Sequence, residues 1–166
     1  MVGGKGSMTD TGTRVPLIVN WPAGIKKQGR TVGDLVEFTD MMPTLCEVSG
    51  AALPQNHPAD GASIVPVLQN KRDIRKKDWI YIWYRNQVMI RNKKYSLLAK
   101  QDGSGATLTR YKGQFNGKEL TDQKINKAER TIKEEFESIL AQMAKTRLST
   151  SSEEGRIMGL KNKSNR

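Results

Sequence analysis

A lysine flanked by glycines near the start of the sequence is the residue best placed to do chemistry. The stretch reads Gly3-Gly4-Lys5-Gly6-Ser7-Met8-Thr9-Asp10-Thr11-Gly12-Thr13-Arg14-Val15-Pro16, then Leu17-Ile18-Val19-Asn20-Trp21-Pro22. Glycine on both sides of Lys5 lets the backbone take positive φ and approach a ligand closely. The lysine ammonium adds a compact point charge. Together they suit a small oxyanion, phosphate or sulfate. The arrangement is not a nucleotide P-loop, which needs a preceding strand, a glycine and four further residues before its Gly-Lys pair.

Other reactive side chains are few. Cys46 is the single cysteine, so no disulfide forms within the chain, and it reads as a small hydrophobe on a helix. His57 is the single histidine and lies between Asn56 and Pro58 in a polar loop, where a solvent-facing side chain is expected. Asp10, Asp34 and Asp40 do not form the cluster of oxygen ligands that a hard cation needs. Asp10 and Arg14 read as residues that support the lysine loop, together with Gly4, Gly6 and Gly12.

The elements that must position these residues follow from pattern. Val15 to Asn20 is apolar, β-branched and closed by Trp21-Pro22-Ala23-Gly24, which predicts a strand buried on both faces. Asp40 suits an N-cap and Pro43 the first turn of a helix over 41–49, ended by Gly50. Met42, Leu45, Cys46 and Val48 share one face of that helix and are expected in the core. Ser63 is expected to cap a short helix running to Leu68.

From Trp79 the period changes to that of strands. Trp79 to Tyr84 is aromatic and β-branched, and Val88 to Arg91 and Tyr95 to Ala99 are joined by the turn residues Asn92-Lys93-Lys94. After Asp102-Gly103-Ser104-Gly105, Thr107 to Tyr111 supplies a fourth strand. A helix is predicted from about Asp122 to Leu148, capped by Thr121 or Asp122. Ile125, Ala128, Ile132, Phe136, Ile139, Leu140, Met143 and Ala144 stand on its apolar face. Residues 149–166 are polar and are expected to be disordered.

The sequence has 166 residues and a net charge of +11, enough length for a real core and enough charge to raise polyanion binding. Lys71, Arg72, Arg75, Lys76 and Lys77, followed by Arg85, Arg91, Lys93 and Lys94, carry the densest positive charge. No helix bears a basic stripe with interleaved aromatics, and no zinc-ligand or helix-turn-helix pattern is present. A solvated basic surface is the reading, with weak polyanion binding as the second. No apolar run reaches the length of a membrane span, and no charged-then-apolar leader is legible.

The long N-terminal string also resembles the sulfatase family. Gly4-Lys5-Gly6, Asp10, Gly12, Arg14, Pro16 and Trp21-Pro22 stand where many sulfatases carry a Gly-Lys-Gly loop, an acidic residue with glycine, Arg-x-Pro and a strand ending in Trp-Pro. Family members usually have Glu-Gly-Gly where this chain has Asp10-Thr11-Gly12. Asp40-Met41-Met42-Pro43-Thr44-Leu45 with Ser49-Gly50-Ala51 resembles the family's Asp-x-x-Pro-Thr-Leu helix. Asp60-Gly61-Ala62-Ser63-Ile64-Val65-Pro66-Val67-Leu68 resembles its Asp-Gly-x-Ser-Leu-x-Pro-Leu-Leu segment.

The resemblance implies an α/β fold of the alkaline phosphatase superfamily, seen here at its C-terminal end. Residues 1–70 would close a mixed-sheet domain, 71–148 would form a small four-stranded antiparallel sheet on a long helix, and 149–166 a tail. It implies a sulfuric ester hydrolase, arylsulfatase-like, in which a formylglycine made from Cys or Ser attacks sulfur. A cation, usually calcium, holds the sulfate, and lysines and histidines neutralise its oxygens. Lys5 inherits the sulfate-oxygen contact; His57 inherits no role. Cys46 is followed by Glu47-Val48-Ser49-Gly50 rather than the nucleophile's x-Pro/Ala-x-Arg, and the family's metal ligands lie upstream of its lysine. The expectation is therefore a fragment that is inactive alone, binds no calcium, and needs a missing N-terminal half to reach a sulfate-ester substrate. Relatives of full length are often exported.

Overall fold

A computed structural model describes residues 4–55, 60–71, 78–113 and 116–146. His57, the basic run 72–77 and the tail 149–166 lie outside the described residues, as do the side chains of Asp10, Asn116 and Thr146.

The strand-forming stretch builds one antiparallel meander. β1 (Ile80–Tyr84), β2 (Gln87–Arg91), β3 (Tyr95–Lys100), β4 (Thr107–Lys112) and β5 (Asn116–Leu120) lie side by side in chain order. Asn92 makes the β2–β3 turn, as its position predicts. Its Oδ1 accepts the N–H groups of Lys94 at 2.8 Å and Tyr95 at 2.7 Å.

The expectation of four strands is corrected to five. β5 begins with Asn-Gly, a pair that reads as a turn, and continues through Lys118 and Glu119, so it shows no apolar alternation. Leu120 is its one apolar residue, and it completes a row across the sheet. Register pairs Tyr81 with Ile90, Ile90 with Leu97, Leu97 with Leu108 and Leu108 with Leu120. Alternation puts this row on a single face.

A helix covers that face. α4 (Lys127–Thr146) places Phe136 and Leu140 against Val88, Ile90, Leu97, Ala99, Leu108 and Leu120, with Ile125, Ile132 and Ile139 packed at the margin. Most of the predicted apolar stripe is thus in the core, whereas Ala128 and Ala144 stay exposed.

The predicted cap of α4 is also corrected. Neither Thr121 nor Asp122 caps it. Asn126 Oδ1 accepts the Glu129 N–H at 2.9 Å, and Glu129 Oε2 accepts the Asn126 N–H at 3.0 Å, a reciprocal capping box. Glu129 is almost fully buried, and its other oxygen takes Arg110 Nη1 of β4 at 2.7 Å, tying helix to sheet. Asp122 instead bonds Lys133 Nζ at 2.6 Å, which holds its carboxyl below the usual carboxylate range. Asn126→Ala should destabilise the fold by about 1 kcal/mol, read as a lower urea midpoint with an unchanged m-value.

The other sheet face is covered as well. Met89, Arg91 and Ser96, which point away from α4, are all buried. The Arg91 guanidinium sits 3.9 Å from the Tyr111 ring centroid, and the Tyr111 hydroxyl lies 3.1 Å from Ser96 Oγ. Glu37 Oε2 accepts the Tyr81 N–H at 3.3 Å, so part of the β1 edge is occupied by the chain that precedes it.

The described residues of that preceding chain hold three short helices, α1 (Asp10–Thr13), α2 (Met41–Ser49) and α3 (Val65–Leu68). Asp40 stands at the N-cap position of α2 as predicted, but its side chain makes no capping bond to the helix. It ends a 3-10 turn (Phe38–Asp40), and its fully buried carboxylate accepts the N–H groups of Glu37 and Ala62 at 2.9 Å each. Thr44 Oγ1 extends the tie, donating to Asp40 O at 2.6 Å and accepting the Ile64 N–H at 3.0 Å. The N-cap position of α3 is held by Ile64 rather than by Ser63 as predicted; Ser63, one residue earlier, accepts the Val65 N–H on its Oγ at 3.2 Å. Arg30 closes the far end of α3, donating to the carbonyls of Val67 at 2.9 Å and Leu68 at 2.8 Å.

Two expectations fail in this region. Val15 to Asn20 forms no strand; it is irregular, with Ile18 90% exposed and Val15 60% exposed. A strand needs a neighbouring strand to satisfy its N–H and C=O groups, and the meander offers it none. The apolar face of α2 is likewise uncovered: Leu45 is 66% exposed, and Met42 and Val48 are also open to solvent. Phe38, one turn before α2, is 82% exposed.

Candidate functional site

The lysine loop closes on itself through hydroxyl groups. Ser7 Oγ donates to the Gly4 carbonyl at 2.7 Å and accepts the Gly4 N–H at 3.1 Å. The Ser7 hydroxyl also lies 2.7 Å from that of Thr9, which lies 3.0 Å from that of Thr11. The Thr9 carbonyl then accepts the N–H groups of Gly12 and Thr13 at 2.9 Å each, starting α1.

Gly12 is required by this closure. A Cβ there would stand 2.1 Å from the Ser7 carbonyl oxygen and 2.6 Å from that of Gly4, distances no side chain tolerates. Gly6 takes φ +85°, a left-handed conformation that glycine accepts without strain. Lys5, on the turn so formed, is exposed.

The loop is seated rather than free. Met8 is buried, and a cleft of about 250 Å³ separates Gly6–Met8 and Gly12–Thr13 from Ile82, Trp83 and Tyr84 of β1. The edge of the sheet therefore stands beside the loop that follows Lys5. The β1–β2 turn is itself fixed: Arg85 takes φ +53°, and its carbonyl accepts both Trp83 Nε1 at 2.9 Å and Gln101 Nε2. The Arg85 guanidinium lies 5.2 Å from the Tyr84 ring centroid.

Of the residues singled out in the sequence, Gly4, Lys5, Gly6 and Gly12 belong to one closed loop. Arg14 is exposed just beyond α1, and the Asp10 side chain lies outside the described residues. The sequence reading missed Ser7 and Met8, which build and anchor the loop. It treated Trp83 and Tyr84 as strand residues only. The alternating hydroxyls of Ser7, Thr9 and Thr11 were a legible sign of a self-bonded turn. Among the described residues no three of Asp, Glu, His and Cys converge on one point, so they do not fit a calcium ion. No helix among them is long and apolar enough to cross a membrane.

Comparison with known proteins agrees with this architecture. A family model described as N-sulphoglucosamine sulphohydrolase, C-terminal, matches residues 4–154. The chain belongs to the sulfatase family. It is 35% identical over 107 residues to the Ulvan-active sulfatase of Formosa agariphila, an alignment covering 58% of this chain and 21% of that one. It is 32% identical over 79 residues to the Steryl-sulfatase of Mus musculus, covering 48% and 12%. It is 41% identical over 68 residues to the Arylsulfatase D of Homo sapiens, covering 40% and 11%. This sulfatase chain thus spans between 11% and 21% of the length of these relatives.

Proposed function

We propose that this chain acts as the C-terminal part of a sulfuric ester hydrolase and that Lys5 contacts the sulfate oxygens. The supporting observation is the loop itself: an exposed lysine between glycines, in a turn closed by the Ser7–Gly4 bonds, with Gly6, Ser7 and Met8 beside β1. A positioned ammonium stabilises the charge that grows on the sulfate as the S–O bond breaks. The nucleophile, and the calcium ion that the family resemblance implies, would be held by residues outside 1–166. Purified residues 1–166 supplied with calcium should release no sulfate from an aryl sulfate; calcium-dependent release would contradict this reading.

The same reading gives the open apolar surface an occupant. Val15, Leu17, Ile18 and Val19, with Phe38, Met42 and Leu45, are all exposed. An N-terminal sulfatase half would offer the sheet edge that Val15 to Asn20 needs and the cover that α2 needs, removing a surface otherwise prone to association.

A second reading rests on charge at one end of the sheet. Lys94 and Lys112 are both exposed there, brought together where the Tyr111 N–H meets the Lys94 carbonyl at 2.8 Å. Lys93 beside them is engaged by Asp34 at 2.7 Å. Weak binding of sulfated polyanions through this end predicts salt-sensitive retention on heparin that is lost in a Lys94→Glu, Lys112→Glu double variant. Absence of retention at low salt would remove it.

A further inference from the structure

The turn that carries Lys5 is closed by one side chain. Gly4, Lys5, Gly6 and Ser7 form a turn in which the Ser7 N–H meets the Gly4 carbonyl at 3.0 Å. Positive φ at Gly6, its third residue, is the type II pattern and places Lys5 at the second position, on the tip. A surface turn held by a single backbone bond opens readily, because water competes for that bond.

The Ser7 hydroxyl adds the missing ties. Oγ donates to the Gly4 carbonyl at 2.7 Å and accepts the Gly4 N–H at 3.1 Å, so both polar groups of the residue before Lys5 are held by one atom. A serine hydroxyl has one proton and two lone pairs. Its proton is committed to Gly4, and this fixes the direction of the bonds that follow. The Thr9 hydroxyl, 2.7 Å away, must donate to Ser7, and the Thr11 hydroxyl, 3.0 Å from that of Thr9, must donate to Thr9. Ser7 Oγ is thereby saturated, by Gly4 twice and by Thr9 once.

The far end of this chain of hydroxyls is anchored too. The Thr9 carbonyl accepts Thr13 Oγ1 at 3.0 Å as well as the first amides of α1. None of these residues belongs to the cluster that packs α4 on the sheet. Loss of the Ser7 hydroxyl would therefore be felt by the turn and not by the core.

We propose that Ser7 is the positioning residue of Lys5: its hydroxyl holds the Lys5 backbone in the geometry from which the ammonium reaches the sulfate, and it touches no substrate itself. The proposal rests on the sulfate-contact reading of Lys5 and adds the group through which the loop keeps the lysine in place.

The test uses a sulfatase whose matching stretch is replaced by residues 4–154 of this chain, and compares Lys5→Ala, Ser7→Ala, Ser7→Thr and the Lys5→Ala, Ser7→Ala double variant. Ser7→Ala should lower kcat about ten- to a hundredfold at an unchanged unfolding midpoint, the scale of a small misplacement of a reacting group. Ser7→Thr keeps the hydroxyl and should recover most of that loss. In the Lys5→Ala background Ser7→Ala should have no further effect, because a residue that acts only through the lysine then has nothing to position. In residues 1–166 the Gly4 amide, followed by NMR, should exchange with solvent faster in Ser7→Ala than in wild type or Ser7→Thr. An equal loss of kcat with and without Lys5, or a loss that tracks a lowered unfolding midpoint, would overturn the proposal in favour of a structural role. A Ser7→Ala enzyme as active as its parent, beside an impaired Lys5→Ala enzyme, would overturn it while leaving Lys5 as the sulfate contact. A fully active Lys5→Ala enzyme would overturn both.

Discussion

Phe136→Ala is expected to lower the unfolding free energy by about 3–5 kcal/mol, the usual cost of truncating a buried phenylalanine. Phe136 is 2% exposed and is the α4 residue most completely buried against the sheet. Its neighbours Val88, Ile90, Leu97 and Leu108 come from three adjacent strands held by backbone ladders, so they cannot collapse into the space left behind. Domains of this size are stable by only about 5–15 kcal/mol, so the variant should unfold at a much lower urea concentration. Ile132 and Ile139 lie at the margin of the same cluster and should cost less when truncated. A Phe136→Ala loss below about 1 kcal/mol would mean that α4 does not cover the sheet as described.

Lys5→Ala is expected to lower kcat by about 10²–10³ in a sulfatase that carries this stretch, the scale seen when one preorganised oxyanion donor is removed. Lys5 is exposed, and the loop around it is closed by Ser7, Thr9 and Gly12 rather than by the lysine side chain. Loss of the ammonium should therefore leave the unfolding midpoint unchanged. Lys5→Arg tests geometry: it keeps the charge but replaces a compact ammonium by a planar fork, and recovery should be partial. A fall in kcat that came with a fall in stability would point to a structural role instead.

The sheet and its covering helix were largely legible because their signals are local. Aromatic and β-branched runs marked β1 to β4, Asn92 marked a turn, and the three- and four-residue spacing along α4 picked out Phe136 and Leu140. β5 escaped because an edge strand needs few apolar residues, and Leu120 alone joins the row. The start of α4 escaped because two polar residues, Asn126 and Glu129, define it only as a pair.

Val15 to Asn20 and the α2 face show a different limit. Burial was expected of Val15, Leu17, Met42 and Leu45, and all four are exposed. What covers them depends on chain elements that no local pattern contains, so the expected burial is not found within the described residues. At the site, Gly4-Lys5-Gly6 and Gly12 were legible by type and spacing. The seat of the loop on Ile82 to Tyr84 joins residues more than seventy positions apart, and strand periodicity assigned those residues to the sheet alone.

In the proposed function this stretch serves sulfate-ester hydrolysis through Lys5. The most direct measurement replaces the matching stretch of the Formosa agariphila Ulvan-active sulfatase with residues 4–154 of this chain and follows sulfate release from ulvan. The graft should retain activity, and Lys5→Ala within it should remove about 10²–10³ of kcat at unchanged stability. A folded graft whose Lys5→Ala variant is as active as its parent would contradict the claim.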